Sequence, residues 1–578
     1  KLCILEPSWH KSNYLELQNK IVLNSKWFFM SAETRTDHFA SARWLFFYLT
    51  FLLMFVATSC RKDFDEINKN PNGFNTASDG ALFNAAISSL QSGWNEQLYV
   101  NISVLYKETQ LIALPQVRWN NYTLGTEEIW MNYYTMLPNL RELEKRFQSL
   151  DTASAEVKNM MAMEKIILAY KTFKVTDLFG DIPFSEAGYG FQDVTKLHPK
   201  FDSQESIYKS LLDELQWAAE NIDPAATTKE PILTFKNFDN LFFGDLTKWQ
   251  KFANSLRLRY AMRMVNKEPA LSGAIIKDIF ENQKLVFGLN EFGQLNNDPD
   301  ECAALYPYRL GYRNESKGWS FNQSKDARMG TTIWHQLSNH DSSDGSGIFD
   351  PRAYYFFETN NNNDWIAFPN DPSTATPDGG IPYEYHRDYN YSIKGADCLY
   401  SPVNYYLARD MDYQPDILIT GAEVIFIRAE AYLLGIGVAK DPGMAGSAFL
   451  DGIQFSLNFW QYVMNNSHLP PGTLFSANIS VPSNLDFISV QNNVDFFTGN
   501  EDVQLREIYT QCWIDLFRQP QEAFALSRRT SLTPHEGASS EVYRFPIPPS
   551  EVAYNELNWM DAIGGAGDGL DEKVWWMK

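Results

Sequence analysis

Seven segments of the chain carry apolar residues at the spacing of an α-helix, and this repetition limits the possible folds more than any other feature. They lie at about 79–90, 129–143, 155–178, 205–222, 248–264, 422–434 and 502–527. Ser203 and Ser206 are candidate N-caps for the fourth segment. We predict a mainly α fold in which helices pack in pairs. These pairs resemble tetratricopeptide stacking, although no strict repeat of about 34 residues is present.

The helical periodicity fades between about 290 and 415, where Gly, Pro, Asn, Asp and aromatic residues dominate. Such a stretch predicts an irregular, loop-rich part with short strands. Loops of this length in a folded protein are often functional. We also predict a second variable insert at about 436–500.

An apolar run at 44–57 follows Arg43 and leads directly to Ala57-Thr58-Ser59-Cys60. The run is too short for a comfortable transmembrane helix but has the length of a signal-peptide core. Small residues before a single cysteine are typical of a lipoprotein cleavage site, so we expect Cys60 to carry a lipid. We interpret 1–29 as an upstream extension or misread, 30–59 as the signal peptide, and 60–76 as a lipidated tether.

The formal net charge of −22 disfavours binding to nucleic acid or to an anionic membrane surface. The five cysteines are scattered and form no CxxC pair, so neither a zinc site nor a disulfide framework is predicted.

No GxSxG, HExxH, P-loop or dinucleotide-binding pattern is present, and nothing in the sequence selects a catalytic pair of carboxylates. We therefore predict no enzyme activity and no cofactor. The oxygen-rich stretch Asp341–Gly347 could hold calcium but lacks the spacing of an EF-hand, so a plain loop is favoured. The same holds for Asp568 and Asp571 in the glycine-rich tail.

Two polar loops are rich in aromatic residues and are the predicted ligand-binding sites. An aromatic ring can pack against the C–H face of a sugar while Asn and Arg bind its hydroxyls. The alternative is that these rings fix the loops to the core. The candidate residues are Trp119, Asn120, Tyr122, Tyr308, Arg309, Tyr312, Arg313 and Trp319.

Several ordered stretches resemble the SusD/RagB family of Bacteroidetes surface lipoproteins, and more specifically its second SusD-like subfamily. They include DLFGDIPFSEA at 177–187, DLTKWQKFANSLRLRYAMRM at 245–264, LITGAEVIFIRAEAYLLG at 418–435 and RFPIPPSE at 544–551. We interpret these stretches as scaffold. Basic residues of 248–263 can pair with carboxylates on neighbouring helices, and Glu423 and Glu430 can pair with buried arginines.

The resemblance implies a single SusD-like domain at 77–578, with four helix pairs of tetratricopeptide type supporting an irregular part. It implies an outward-facing protein, lipid-anchored in the outer membrane, that captures an oligosaccharide without catalysis. It also implies a SusC-like TonB-dependent transporter as partner. Three alternatives stay open: a peptide-binding partner of such a transporter, a surface glycosidase, and a purely structural surface protein.

Overall fold

The computed structural model describes residues 77–114, 121–311, 327–376, 398–469, 472–538, 542–565 and 567–578. In these ranges, twelve α-helices have seven residues or more. They are α1 (Asp79–Ser88), α2 (Tyr122–Gln148), α3 (Ala155–Phe179), α4 (Gln204–Asn221), α5 (Leu246–Arg263), α6 (Pro269–Glu281), α7 (Thr331–Leu337), α8 (Gly421–Leu434), α9 (Pro442–Asn465), α10 (Glu501–Asp515), α11 (Pro520–Thr530) and α12 (Glu556–Ile563).

Shorter elements connect these helices. A π-helix spans Glu96–Leu105. Short α-helices lie at Tyr106–Thr109, Ile232–Phe235, Pro307–Leu310, Arg352–Phe356, Tyr405–Arg409, Phe475–Asn478, Phe487–Gln491 and Pro549–Tyr554. The 3₁₀ turns are Val194–Lys196, Lys236–Phe238, Pro372–Thr374 and Leu516–Arg518.

The predicted mainly α fold is confirmed, and its helices begin where the sequence offers capping side chains. Ser78, Ser154 and Ser203 each accept a hydrogen bond from a backbone N–H in the first turn of α1, α3 and α4. Consecutive helices from α2 to α6 pack in pairs, and α8 packs against α9 and α10. Residues 78–578 form one compact unit.

Two segments differ from the sequence prediction. The single helix expected at 502–527 is divided into α10 and α11, because Pro520 lacks the N–H that a continuous helix requires and begins α11 instead. The insert expected at 436–500 contains the core helix α9. Glycines weaken its helical signal, but Gly452 is required there, since a Cβ would lie 2.6 Å from the Phe426 ring of α8.

The described residues contain two small antiparallel sheets. Strand β1 (Ile182–Pro183) pairs with β2 (Phe201–Asp202). Strand β3 (Cys302–Leu305) pairs with β4 (Asp416–Thr420), with an irregularity between Ala303 and Ala304. Strand β4 continues directly into α8 and joins the loop-rich part to the helices.

The buried arginines of α5 pair with carboxylates on neighbouring helices, as predicted, whereas Lys251 pairs with Glu301 in the loop before β3. Lys251 binds Glu301 at 2.6 Å, Arg257 binds Asp278 at 3.0 Å and Arg259 binds Glu423 at 2.5 Å. Arg263 reaches Asp177 of α3 and Glu522 of α11. These contacts hold α3, α5, α8 and α11 together, which supports the reading of this motif as scaffold.

Candidate ligand-binding groove

A groove with a volume of about 1150 Å³ opens on the loop-rich part of the molecule. Four stretches of chain that are distant in sequence line it: 107–114, the start of α7, 368–374, and 535–538 together with Val542. Since these stretches come from both halves of the chain, the groove exists only in the folded molecule.

Isolated β-bridges fix the stretches that form the groove. Ala113 and Arg328 exchange two backbone hydrogen bonds of 2.9 Å. Phe368 donates to Met329 O at 2.7 Å, and Thr331 donates to Phe368 O at 3.1 Å. The loop-rich part is therefore held by short bridges rather than by long strands, in line with the short strands predicted for it.

Gln110 lines the groove and belongs to what we call the groove floor, the polar side chains of Gln110, Thr331, Asn370 and Glu536. It ends the short helix Tyr106–Thr109 with a left-handed backbone (φ 55°). Its amide nitrogen donates to Glu536 O at 2.8 Å, and its amide oxygen accepts from Glu536 N at 2.8 Å and from Thr332 Oγ1 at 2.5 Å. One buried side chain thus joins the floor to α7 and to the segment after α11.

The Glu536 carboxylate extends this network. Oε2 accepts from Thr331 Oγ1 at 2.6 Å and from Asn370 Nδ2 at 3.0 Å, while Oε1 lies 2.7 Å from His335 Nδ1. The rings of His335 and His340 are 4.3 Å apart. The floor therefore presents hydroxyl, amide and carboxylate groups that are already held in place before any ligand arrives.

Apolar side chains form one wall of the groove. Ile112, Ala113 and Phe368 are buried there, Leu114 is half-buried, and Pro372 is exposed. Phe368 packs edge-on against Tyr400 at 4.8 Å. The combination of an apolar wall with a few fixed polar groups is typical of a site for small ligands.

The first predicted loop adjoins this groove. Leu114 lines the groove, and the chain continues from it through Trp119 and Asn120, which lie outside the described residues. Tyr122 begins α2 and packs on Phe545 with ring centroids 5.8 Å apart. It shares no hydrogen bond or ring contact with Tyr308 or Arg309.

The described residues of the second predicted loop form a separate aromatic cluster. Tyr308 stacks on Tyr413 at 5.0 Å and remains partly exposed. Arg309 donates to Tyr308 Oη at 3.0 Å and lies 4.4 Å from the centre of the Tyr306 ring. Tyr312, Arg313 and Trp319 lie outside the described residues. The structure brings Tyr308 and Arg309 together, and neither lines the groove.

One carboxyl group beside this cluster has an unusual pKa. Burial raises the pKa of Asp410 to about 7, although backbone N–H groups of Asp412, Tyr413 and His468 donate to its oxygens and oppose the shift. His468 also packs against Tyr413 at 4.2 Å. Asp410 therefore fixes the loop that presents the Tyr413 ring.

Sequence reasoning missed the groove floor formed by Gln110, Thr331, Asn370 and Glu536. Asn370 stands in a turn-rich stretch that could be recognised as a loop, but nothing near it indicates its partners. Glu536 and Gln110 are 426 residues apart. No local signal in the sequence connects them.

Asp344 and Asp568, in the oxygen-rich stretches considered for calcium, take part in contacts within the protein. In 341–347, Ser346 N donates to Asp344 Oδ1 at 2.8 Å. Asp568 pairs with Arg544 at 3.0 Å and accepts from the Trp559 indole at 3.0 Å. Within the described ranges, no group of three or more His, Cys, Asp or Glu side chains is placed to hold a metal ion.

A family of SusD-like proteins, described as starch-binding and associating with the outer membrane, matches residues 71–542. The chain belongs to this SusD-like family. The resemblance drawn from its motifs is therefore confirmed over most of its length.

Solved SusD-like structures share the fold. A chitin-binding protein matches with a TM-score of 0.65 and 20% identity, covering 87% of this chain and 100% of its own. A SusD-like protein of Bacteroidetes matches with a TM-score of 0.62 and 22% identity, covering 87% of this chain and 100% of its own. A SusD homologue from Bacteroides fragilis matches with a TM-score of 0.63 and 16% identity, and it also covers 87% of this chain and 100% of its own. At these identities the likeness concerns the fold.

A search of curated protein sequences gave no match to this SusD-like chain. Among the helices that the structure describes, none combines the length and the apolar character needed to cross a bilayer.

Proposed function

We propose that the chain is a cell-surface lipoprotein that binds an oligosaccharide in the groove. It then delivers the sugar to a SusC-like TonB-dependent transporter without catalysis. Cys60 carries the lipid anchor and holds the protein on the outward face of the outer membrane. Membership of the SusD-like family supports this proposal, and the groove is the observation that carries it.

The groove suits an oligosaccharide in size and chemistry. Its volume of about 1150 Å³ exceeds the roughly 300–1,000 Å³ of common small-molecule sites, which leaves room for several sugar rings. Hydroxyl, amide and carboxylate groups on its floor match the alternating donors and acceptors of sugar hydroxyls. Its apolar wall can cover the less polar face of a ring.

The predicted aromatic residues have distinct places in this proposal. Trp119 and Asn120 follow Leu114 in the chain and are proposed to contact the sugar, and Tyr122 begins α2 two residues after Asn120. Tyr308 and Arg309 are proposed as a second contact area. Tyr312, Arg313 and Trp319, which lie outside the described residues, stay proposed ligand contacts.

Glu108, Asp371 and Glu536 are the carboxylates among the described residues that line the groove. Glycoside hydrolysis requires two carboxyl groups that face the scissile bond and are free to exchange protons. Glu536 instead contacts Thr331, Asn370 and His335, and Asp371 accepts from Ser373 N and Oγ at 2.9 and 2.7 Å. These contacts favour a binding role over catalysis for the two carboxylates.

The test is binding of the soluble chain, residues 61–578, to panels of polysaccharides and peptides by affinity electrophoresis and calorimetry. We expect retardation by one class of polysaccharide. We expect Trp119→Ala or Trp319→Ala to weaken it at least about tenfold, since truncating a tryptophan that anchors a ligand typically costs about 2 kcal/mol or more.

Phe292→Ala is the matched control, because Phe292 is 70% exposed on a turn distant in sequence from the groove segments. Unchanged binding in both tryptophan variants would refute the site assignment. Binding only to peptides would show that the ligand is a peptide and not a sugar. Turnover of a bound glycan would contradict the non-catalytic role.

A further inference from the structure

Carboxylates are the main charged groups that line the groove. Among the described residues, Glu108, Asp371 and Glu536 line it, whereas Lys107 is the one lysine or arginine there. The described lining therefore has a negative formal charge at neutral pH. Such a surface attracts cationic groups of a ligand and repels anionic ones.

Within the described residues, two of these carboxylates have no basic partner. Glu108 is half-buried and Asp371 is exposed, and no lysine, arginine or histidine of the described ranges forms an ion pair with either. Lys107 precedes Glu108 in the short helix Tyr106–Thr109, and adjacent residues of a helix do not face each other. Both carboxylates are therefore available to a cationic ligand.

The turn that contains Asp371 keeps this carboxyl group ionised. Hydrogen bonds from the hydroxyl and the N–H of Ser373 lower the pKa of the Asp371 carboxyl. Both bonds reach Oδ1, so Oδ2 is available to a ligand. Asp371 thus presents an oriented negative charge at neutral pH.

His535 adds no positive charge to the groove. Glu536 N donates to Gln110 Oε1 at 2.8 Å, which fixes the orientation of the Gln110 amide. The amide nitrogen then lies 3.2 Å from His535 Nε2, so this ring nitrogen must accept the hydrogen bond. A protonated imidazole has a donor at both nitrogens and would place two donors face to face. The ring is therefore neutral in this arrangement.

Basic residues near the groove do not reverse its charge. Arg328, which bridges Ala113, is 1% exposed and does not line the groove. The stretches 115–120, 377–397 and 539–541 continue the groove segments along the chain and lie outside the described residues. By sequence they carry three Lys or Arg and five Asp or Glu. The composition of this part of the chain is therefore acidic as well.

The sign of the charge ranks the classes of sugar. A sugar with a free amino group presents an ammonium where a neutral sugar has a hydroxyl or an N-acetyl group. A hydrogen bond from this ammonium to a carboxylate is roughly twice as strong as one between neutral groups. Uronic acids and sulfated sugars instead present negative charge to Glu108 and Asp371 and are repelled.

We propose that the groove selects oligosaccharides that carry free amino groups. The inference rests on the proposed function, in which the groove binds a sugar, and it names the class of that sugar. Glu108 and Asp371 contact the ammonium groups and determine the specificity. The groove floor binds the hydroxyl groups, and Glu536 is held in place by its contacts there.

The experiment compares hexasaccharides that differ only in the group at carbon 2: β-1,4-linked glucosamine, N-acetylglucosamine and glucose. Calorimetry with the soluble chain, residues 61–578, is carried out at a mildly acidic pH, so that the amino groups are protonated. We expect the glucosamine hexamer to bind at least about tenfold more tightly than the two neutral hexamers. This preference should shrink when the salt concentration rises from about 0.05 to about 0.5 M, because salt screens the charges of an open groove.

Glu108→Gln and Asp371→Asn each remove one charge and keep the size of the side chain. We expect each variant to bind the glucosamine hexamer about three- to fivefold more weakly, and the double variant at least about tenfold, with no change in Tm. Binding of the neutral hexamers should stay as in the wild type. The matched control is the double variant Glu556→Gln and Asp561→Asn, at exposed positions of α12. It is needed because a protein with a net charge of −22 attracts any polycation without specificity.

The outcomes separate the inference from the function on which it rests. Equal affinity for the charged and neutral hexamers, or equal losses in the groove and α12 double variants, would overturn the selectivity for amino sugars. The selectivity also fails if the polysaccharide panel retains only neutral or acidic sugars, and the proposed oligosaccharide binding then stands. If the panel retains an amino polysaccharide of a different linkage, the same comparison is made with that polymer and its N-acetylated form. Absence of binding to every glycan would remove the proposed function and this inference with it.

Discussion

At the scale of single residues, close contacts decide which positions tolerate a side chain. Gly437 (φ 71°) follows α8, and a Cβ there would lie 2.3 Å from Gly273 O and 2.9 Å from Lys277 N in the backbone of α6. Gly311 has a similar backbone (φ 70°) with open space around it. A comparison of substitutions at Gly437 and Gly311 therefore separates the free-energy cost of a left-handed backbone from the cost of a steric clash.

We predict that Gly437→Ala destabilises the protein more than Gly311→Ala does. The left-handed backbone costs about 1–2 kcal/mol in both variants, and the clash with α6 adds about 1–3 kcal/mol at Gly437. Urea unfolding of the two variants measures the difference. Equal losses would show that the contact between α6 and the turn after α8 can relax.

The floor of the groove gives a second prediction for a single residue. Asn370→Asp keeps the shape of the side chain but places a second carboxylate 3.0 Å from Glu536 in place of a donor. We expect sugar affinity to fall at least about tenfold, because the groove floor loses the hydrogen bond from Asn370 to Glu536 and gains repulsion between two carboxylates. We expect a smaller effect on Tm, because the hydrophobic core is unchanged.

Calorimetric titration with the sugar identified in the binding panel checks this prediction. Asn362→Asp, at an exposed position of the same region, is the matched control for the added charge. Equal affinity of the Asn370→Asp variant and the wild type would mean that the sugar does not contact the floor.

At the scale of elements, a buried ion pair joins α8 to α11. Arg529 donates to both oxygens of Glu430 at 2.6 and 2.7 Å, and Tyr509 of α10 donates to the same carboxylate at 2.7 Å. The sequence predicted that Glu430 would pair with a buried arginine, and the structure confirms it. The identity of the arginine could not be predicted, since 99 residues separate the two.

We predict that Arg529→Ala lowers the free energy of unfolding by about 3–5 kcal/mol, because it leaves the buried Glu430 carboxylate without its countercharge. Arg506→Ala, at an exposed position of α10, should change it by less than about 0.5 kcal/mol. Urea unfolding checks both values. Similar small losses in the two variants would show that water or a rearranged side chain replaces Arg529.

The helix boundaries show which helices can be predicted from residues that are close together in the sequence. Apolar spacing predicted α1, α3, α4, α5 and α8 closely, and Ser203 was predicted as the N-cap of α4, since both signals act within a few residues. The predicted segment at 129–143 covers only the middle of α2. The sequence analysis assigned no helix within 436–500, where α9 lies. Gly452 allows a close approach of α9 to Phe426 of α8, and this role is visible only when both helices are present.

At the scale of the whole molecule, Glu522 links α11 to Arg259 and Arg263 of α5. Burial alone would raise the pKa of this carboxyl group, but the two arginines lower it to about 2. Its pKa in the unfolded chain is near 4.5. The ionised form therefore stabilises the fold fully above about pH 4.5, and this contribution is lost as the pH falls toward 2.

We predict that the wild type loses stability between about pH 4.5 and 2 more steeply than Glu522→Gln, which has no carboxylate to protonate. The variant starts from a lower stability at neutral pH, since both arginines lose a countercharge. Urea unfolding at several pH values gives the two slopes, with the exposed Glu291→Gln as control. Parallel slopes would mean that other carboxylates dominate acid unfolding.

The sequence alone determined the family, the mainly α fold, most helix positions and the chemistry of the buried charges. These features depend on spacing, capping and motifs that act over short stretches of chain. The tertiary structure decided the groove floor, and it placed Tyr122 on Phe545 and Tyr308 on Tyr413. The floor joins residues hundreds of positions apart, such as Gln110 and Glu536, and these contacts depend on tertiary packing that a local sequence pattern does not reveal.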